Sequence, residues 1–188
     1  GVASLDNPNS KKRKIGSIGE SLKGVTIKLF KNKNKVVSDN TIGEIGIKTP
    51  AIFSGYIPNK KINFLKNKGY FMSGDLAVKK DKHFFFIDRS KDLIIKGGVN
   101  ISPQEIDDCL NSNNKVFESA SISKQDNFFG EDIKSYVVLK NGYKAKKDEL
   151  MNFCKKKIGQ YKTPSQIVFV KQLPKTASGK ILKRLLKD

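Results

Sequence analysis

The chain has 188 residues, 37% of them hydrophobic, with 37 basic against 18 acidic side chains and a net charge of +19. That content suffices for one large or two small domains and excludes a chain disordered by composition, while the lack of an apolar run of about 18 residues excludes a membrane-spanning helix. The basic excess is nearly all lysine, with arginine only at 13, 89 and 184, and it is spread through every segment rather than gathered into a stripe, so nucleic-acid binding is not expected as the main function.

Residues 1–14, "GVASLDNPNSKKRK", are polar and turn-rich and predict an extended lead-in. The opening Gly1 is expected of a processed chain or of part of a longer protein. No charged-then-apolar leader is present, and a cytoplasmic location is expected. From 15 to about 88 the texture is of short strands. "GVTIKLF" and "EIGIKTP" alternate, and "DKHFFFID" follows the charged turn "KKD". Glycines at 24, 43, 46, 55, 69 and 74 punctuate these runs, which predicts a small antiparallel sheet or distorted barrel. His83 is the sole histidine, too little material for a His-based zinc site or a Ser-His triad, and no metal ligands are expected.

After Asp88 the pattern changes. "SPQEIDDCLNSN" offers Ser102 as N-cap, Pro103 at the first helical position and Glu105 three after the cap, with Ile106, Cys109 and Leu110 on one apolar face. "VFESASIS" and "IKSYVVLK" predict strands flanking the turn "KQDNFFGED". "KKDELMNFCKKKIG" predicts a second amphipathic helix ending at Gly159, with Cys154 aligned with Leu150 and Ile158. Both cysteines therefore read as reduced core thiols. "QIVFVKQLP" is a strand stopped by Pro174, and "KILKRLLK" a terminal helix that packs Ile181, Leu182 and Leu185 and leaves its charges in solvent. The expected class is α+β: a β-rich part over 1–88, a joint at 89–92, and a compact α+β domain over 93–188.

Three segments carry chemistry. In "LPKTASGKILKRLL" the pair Gly179-Lys180 suggests a phosphate loop, but Pro174 stands where the first loop glycine is required and Ile181 where Ser or Thr is, so a Walker loop is excluded. What remains is a Ser-Gly turn presenting a long cation. "GYFMSGDLA" places Asp75 after a Ser-Gly turn, where a carboxylate can accept hydrogen bonds from two vicinal hydroxyls or simply form an Asx turn. "DRSKDLIIKGGVNISPQEID" supplies Arg89 at the joint and the pair Gly97-Gly98, which makes a tight turn or lets a narrow ligand pass close to the backbone.

In this order, the three segments resemble those of the acyl-adenylate-forming superfamily of acyl-CoA synthetases, luciferase-like enzymes and peptide-synthetase adenylation domains. "GSIGESLKG" is similar to a further family segment, without its usual proline. The resemblance runs from about Gly16 to the C-terminus and implies an ATP-dependent acid–thiol ligase, with a fatty acid as the expected substrate. In that family's scheme Asp75 holds the ribose hydroxyls of ATP and Arg89 supports them. Lys91 is the hinge of the small C-terminal domain, Gly97 and Gly98 line the tunnel for the pantetheine of CoA, and Lys180 bridges carboxylate and nucleotide during adenylation only. "PKTASGKI" with "KGGVNISPQEID" looks more like a CoA ligase than a peptide-synthetase domain.

The family's Ser/Thr/Gly-rich phosphate loop and its magnesium-binding Tyr-Gly-x-Thr-Glu segment are not among these residues. The resemblance places them, with the acyl pocket, before Gly1. The 188 residues alone are therefore expected not to adenylate, and the preceding region is the expected partner. Two other readings remain open: a non-catalytic basic module for nucleic acid or an anionic membrane, and a fragment that works with a separate N-terminal chain.

Overall fold

The structure, a computed structural model, describes residues 3–9, 11, 13–31, 35–53, 55–56, 60–61 and 68–186. Parts of the expected lead-in (1, 2, 10 and 12) and Lys187 of the expected terminal helix lie outside them. The chain divides into two compact units, Gly1–Lys91 and Asp92–Asp188.

In the first unit β1 (Ser4–Leu5) pairs with β2 (Glu20–Ser21). Next come β3 (Thr26–Lys31), β4 (Lys35–Val36), β5 (Ile42–Lys48), β6 (Gly55–Tyr56), β7 (Lys60–Lys61), β8 (Phe71–Lys80) and β9 (His83–Arg89). An antiparallel sheet runs β4-β3-β5-β8-β9, and β6 pairs with β7. Of the expected sheet or distorted barrel, the described strands form a five-stranded sheet, and among the described residues no pairing joins its edges β4 and β9. Alternation along the strands turns Leu29, Ile45, Ala77 and Phe84 into one core.

The "GYFMSGDLA" segment is not a strand end with a turn. From Phe71 onward it runs within β8, and Ser73–Asp75 lie opposite Ile45 alone, between the register pairs Gly46↔Met72 and Glu44↔Leu76. The surplus residues bulge, and Gly74 adopts φ +77° to allow it. His83 is buried, with Nε2 3.7 Å from Glu20 and, among the described residues, no hydrogen-bond partner for Nδ1.

In the second unit β10 (Ile94–Lys96), β11 (Val99–Ile101), α1 (Pro103–Asn111), β12 (Val116–Asp126), β13 (Gly130–Leu139), α2 (Lys147–Ile158) and β14 (Gln166–Phe169) follow. The sheet runs β11-β10-β13-β12, and β14 pairs parallel to β13. α1 starts as its sequence dictates: the Ser102 side chain accepts the Glu105 N–H, and Pro103 needs no partner there. α2 stops at Gly159 with φ +83°. Ile94, Ile101, Ile106, Leu110, Ile133 and Leu150 are fully buried between helices and sheet, each worth about 1.5–3 kcal/mol.

Two expectations change here. The β12–β13 strands are longer than expected, since Lys124↔Asp132 and Asp126↔Gly130 remain in register and the Asp126 carboxylate closes the turn by accepting the Phe128 and Phe129 N–H groups. The terminal helix is one 3-10 turn, Lys183–Leu185. Ile181 and Leu186 pack onto Ala120, Ile122, Val138 and Leu173, while Leu185 stays exposed. Lys183 is not solvated either; it pairs with buried Asp107 at 2.9 Å.

Candidate functional site

The bulge in β8 brings Asp75 directly opposite Arg89 of β9. Arg89 Nε donates to Asp75 Oδ1 at 3.0 Å, and among the described residues Oδ2 accepts no bond. The bulge is held on both sides. Gly74 N–H donates to Glu44 (3.1 Å), the Gly74 carbonyl accepts the Ser90 N–H (2.8 Å), and Asp75 N–H donates to Ser73 Oγ (3.0 Å). A half-exposed carboxylate braced by a guanidinium is free to accept from a ligand's hydroxyls. The strand then runs into the exposed turn that holds Lys91, the last residue of the first unit.

In the second unit Gly97 and Gly98 are the two residues of the β10–β11 hairpin turn, with φ of +52° and +80° as a type I′ turn requires. The tight-turn reading is thus the observed one. The turn is clamped from one side. Gly97 N–H donates to the Phe129 carbonyl (2.9 Å), and the Tyr161 hydroxyl donates to the Lys96 carbonyl (2.6 Å). A Cβ on Gly97 would sit 2.8 Å from that hydroxyl, whereas one on Gly98 would meet nothing within 4 Å. So Gly98 offers an open backbone face.

Beneath the turn Lys96 is buried and paired with Asp132 at 2.7 Å, its ammonium 5.0 and 5.3 Å from the Phe129 and Tyr161 rings. Burial pushes the Asp132 carboxyl up, but Lys96 and the Ile133 N–H outweigh it and hold the group below its usual range.

Lys180 is exposed, on the return arm of a small loop whose tip is Ala177-Ser178. Gly179 N–H donates to the Thr176 carbonyl at 2.9 Å, with Gly179 at φ +82°. Lys180 itself is gripped by one residue: its N–H donates to Thr176 Oγ1 (3.1 Å) and its carbonyl accepts the Thr176 N–H (2.8 Å). Leu182 N–H closes the base on the Pro174 carbonyl at 2.8 Å. The backbone under the ammonium is therefore held by hydrogen bonds, while among the described residues the side chain makes no bond.

Asp75 and Arg89 are together in one unit, and Gly97, Gly98 and Lys180 share the other. Sequence reasoning missed Thr176, Lys96, Asp132, Tyr161, Asp107 and Lys183. Signals existed for some of them. Lys96 alternates with Ile94 onto the buried face of β10, and Asp107 shares the helix face of Pro103, Ile106 and Leu110. Among the described residues no group of three or more His, Cys, Asp or Glu could hold a metal.

Residues 105–180, from the first turn of α1 to the exposed lysine of the loop, match the model of a family described as "AMP-binding enzyme C-terminal domain". The chain belongs to the acyl-adenylate-forming superfamily and corresponds to its C-terminal portion. The oxalate–CoA ligase of Saccharomyces cerevisiae is 35% identical over 94% of this chain and 33% of its own length; the long-chain-fatty-acid–CoA ligase of Bacillus subtilis is 36% identical over 93% and 32%. Among solved structures, ATP-bound MatB from Rhodopseudomonas palustris superposes with a TM-score of 0.87 at 30% identity, covering 96% of this chain and 37% of that one. The o-succinylbenzoate CoA synthetase of Bacillus subtilis, solved with its acyl-adenylate, gives 0.83 at 32% identity over 93% and 36%. The chain spans about a third of the length of the curated relatives it matches.

Proposed function

We propose that this chain is the mobile C-terminal part of an AMP-forming acid–thiol ligase, which activates a carboxylic acid with Mg-ATP and transfers the acyl group to CoA. The observation that carries this reading is Lys180, where the family match ends: an exposed ammonium on a backbone locked by Thr176. Joining a carboxylate to the α-phosphate of ATP brings two anions together and builds further charge in the transition state. A prepositioned ammonium stabilises that charge without reorganising, an effect worth about 10²–10³ in rate.

Asp75 and Arg89 serve the nucleotide. The carboxylate accepts the two ribose hydroxyls and Arg89 holds it in place. Gly97 and Gly98 serve the second half-reaction, in which a thiol attacks the acyl-adenylate; the bare backbone at Gly98 leaves room for a narrow pantetheine arm. Lys91 is the hinge by which the domain presents first the lysine loop and then the glycine turn. The acid is a carboxylic acid, with a fatty acid as one candidate. Relatives matched at similar identity carry names as different as oxalate–, sulfoacetate– and 2-succinylbenzoate–CoA ligase, which supports placing acid choice outside this region.

Among the described residues, part of the basic charge is locally neutralised rather than gathered in one place. Lys79, Lys115, Lys162 and Lys175 are spent on separate carboxylates across both units.

ATP–pyrophosphate exchange tests the reading. The 188-residue chain alone is expected to be inactive, and with its preceding region restored the exchange should fall about 10²–10³-fold in Lys180→Ala. Thioester formation from preformed acyl-adenylate should be retained in that variant. Exchange by the isolated chain, or equal loss in both half-reactions, refutes it.

A further inference from the structure

We infer that the ion pair between buried Asp107 and half-buried Lys183 is the positioning device for Lys180, fixing the lysine loop to α1 so that the ammonium is aimed before substrate binds. This rests on the role proposed for Lys180 and deepens it. Lys183 lies three residues beyond Lys180, with nothing but Ile181 and Leu182 between. Its Nζ donates to Asp107 Oδ2 at 2.9 Å, across 76 residues of sequence.

The carboxylate is an unusual one. Asp107 is 4% exposed, on the face of α1 that packs against β12. Its Oδ1 makes no hydrogen bond of normal geometry among the described residues, although Ser121 of β12 lies beside it; that hydroxyl pairs with Ser135 at 2.7 Å instead. Ser119, also on β12, donates to the Asp107 backbone carbonyl and to Asn111. The other acids of α1 are engaged elsewhere, Glu105 with Lys162 and Asp108 with Gln104. Lys183 is thus the cation that faces Asp107, and a buried half-satisfied carboxylate makes that contact costly to break.

A buried ion pair adds little to stability compared with apolar residues of like volume, so retention of one points to a geometric role at the place it fixes. Here that place is the return arm of the lysine loop. The outgoing arm has its own anchors, Leu173 in the core and Lys175 on Glu118 at 2.6 Å. The return arm has Ile181, the Asp107–Lys183 pair, and the Leu186 carbonyl held by the Tyr136 hydroxyl at 3.0 Å. The Leu182 N–H ties the return arm only to the Pro174 carbonyl of the outgoing arm, so the ion pair is the return arm's nearest directional contact to Lys180 that reaches another element of the fold. The glycine turn depends on none of them, since Phe129, Tyr161 and the Lys96–Asp132 pair hold it. The device therefore acts on one half-reaction.

The experiment uses Lys183→Met, the paired Asp107→Leu/Lys183→Met and Lys183→Arg. The paired variant removes both charges and so keeps the fold where the single one leaves an unpaired buried carboxylate. In the 188-residue chain, hydrogen exchange at the Thr176 and Gly179 amides should quicken about tenfold in the paired variant, with the Gly97 amide unchanged. In the enzyme carrying its preceding region, ATP–pyrophosphate exchange should fall about 10- to 10²-fold, the scale of an ångström-level misplacement. Thioester formation from preformed acyl-adenylate should stay within about twofold, and Lys183→Arg should recover most of the loss. Wild-type loop protection with wild-type adenylation in the paired variant overturns the inference, as does an equal fall in both half-reactions. If Lys180→Ala leaves adenylation intact, the proposed role of Lys180 fails instead, and the exchange measurement still reports whether the pair holds the loop.

Discussion

Gly97 and Gly98 look interchangeable in sequence, but their surroundings predict different costs. Both occupy the left-handed region, at φ +52° and +80°, where alanine pays about 1–2 kcal/mol and recovers about 0.4–1 from a stiffer unfolded chain. Gly98→Ala meets no atom within 4 Å, so its net cost is about 1 kcal/mol. Gly97→Ala adds a contact of 2.8 Å to the Tyr161 hydroxyl and 3.3 Å to the Phe129 ring. The hydroxyl must leave the Lys96 carbonyl that it meets at 2.6 Å, forfeiting about 1 kcal/mol more. Turn statistics point the other way, because the first position of a type I′ turn welcomes Asn; sterics predict that Gly97→Asn is nonetheless destabilising. Urea-dependent hydrogen exchange followed peptide by peptide reads the second unit separately from the first. In a Tyr161→Phe background the difference between the two alanine variants should shrink by about 1 kcal/mol. Equal costs at the two glycines, or no coupling to Tyr161, refute the reasoning. At Gly98 the mild stability cost should accompany a large loss of thioester formation, since the added methyl occupies the open face.

Lys91→Pro in the complete enzyme is expected to slow thioester formation by at least tenfold while leaving ATP–pyrophosphate exchange nearly intact, because it restricts the backbone at the last residue before the second unit begins; the converse pattern in half-reaction assays counts against the hinge. Burial pushes the Asp107 carboxyl up to about 6 against the pull of Lys183 and Ser121. The group binds its proton more tightly folded than unfolded, so its contribution to stability is full below about 4 and is lost as pH rises through about 6. Between those values Asp107→Asn should flatten the stability curve of the second unit by about 1–3 kcal/mol, and a curve parallel to the parent's refutes this. Cys109 and Cys154 lie against each other in the core, and burial pushes Cys154 up to about 12. At pH 8 only about one Cys154 in 10⁴ is thiolate. Iodoacetamide should therefore spare both thiols in the folded chain and label both in urea; rapid labelling of the native chain contradicts the packing.

Local signals made most of the second unit legible. Ser102, Pro103 and Glu105 announce α1, Gly159 ends α2, and the apolar spacing of Leu150 and Cys154 gives the buried face. These are interactions among near neighbours in sequence, which a linear reading can weigh. The failures came where distant residues decide. "KILKRLLK" has a helical pattern, but Leu182 N–H is taken by the Pro174 carbonyl and Lys183 by Asp107, so a single 3-10 turn forms. The bulge at Ser73–Asp75 was invisible because the glycine that permits it also fits a turn; Glu44 and Ser90, on other segments, decide between them.

The same distinction runs through the site. The groups proposed to meet substrate, Asp75, Arg89, Gly98 and Lys180, were legible because short motifs carry them. The groups that hold them in place come from elsewhere in the chain and carry no motif. Within the second unit these supports fall into two sets that share no residue: Lys96, Phe129, Asp132 and Tyr161 around the glycine turn, and Asp107, Thr176 and Lys183 around the lysine loop. On the proposed reading one body serves two chemical steps in turn, and that needs such a separation. If a single clamp held both surfaces, any adjustment to one would disturb the other, and the two half-reactions could not be tuned apart. Variants within one set should therefore couple to each other and add independently across sets, and coupling of Asp107 with Tyr161 as strong as that of Asp107 with Lys183 would show that the two surfaces are built as one.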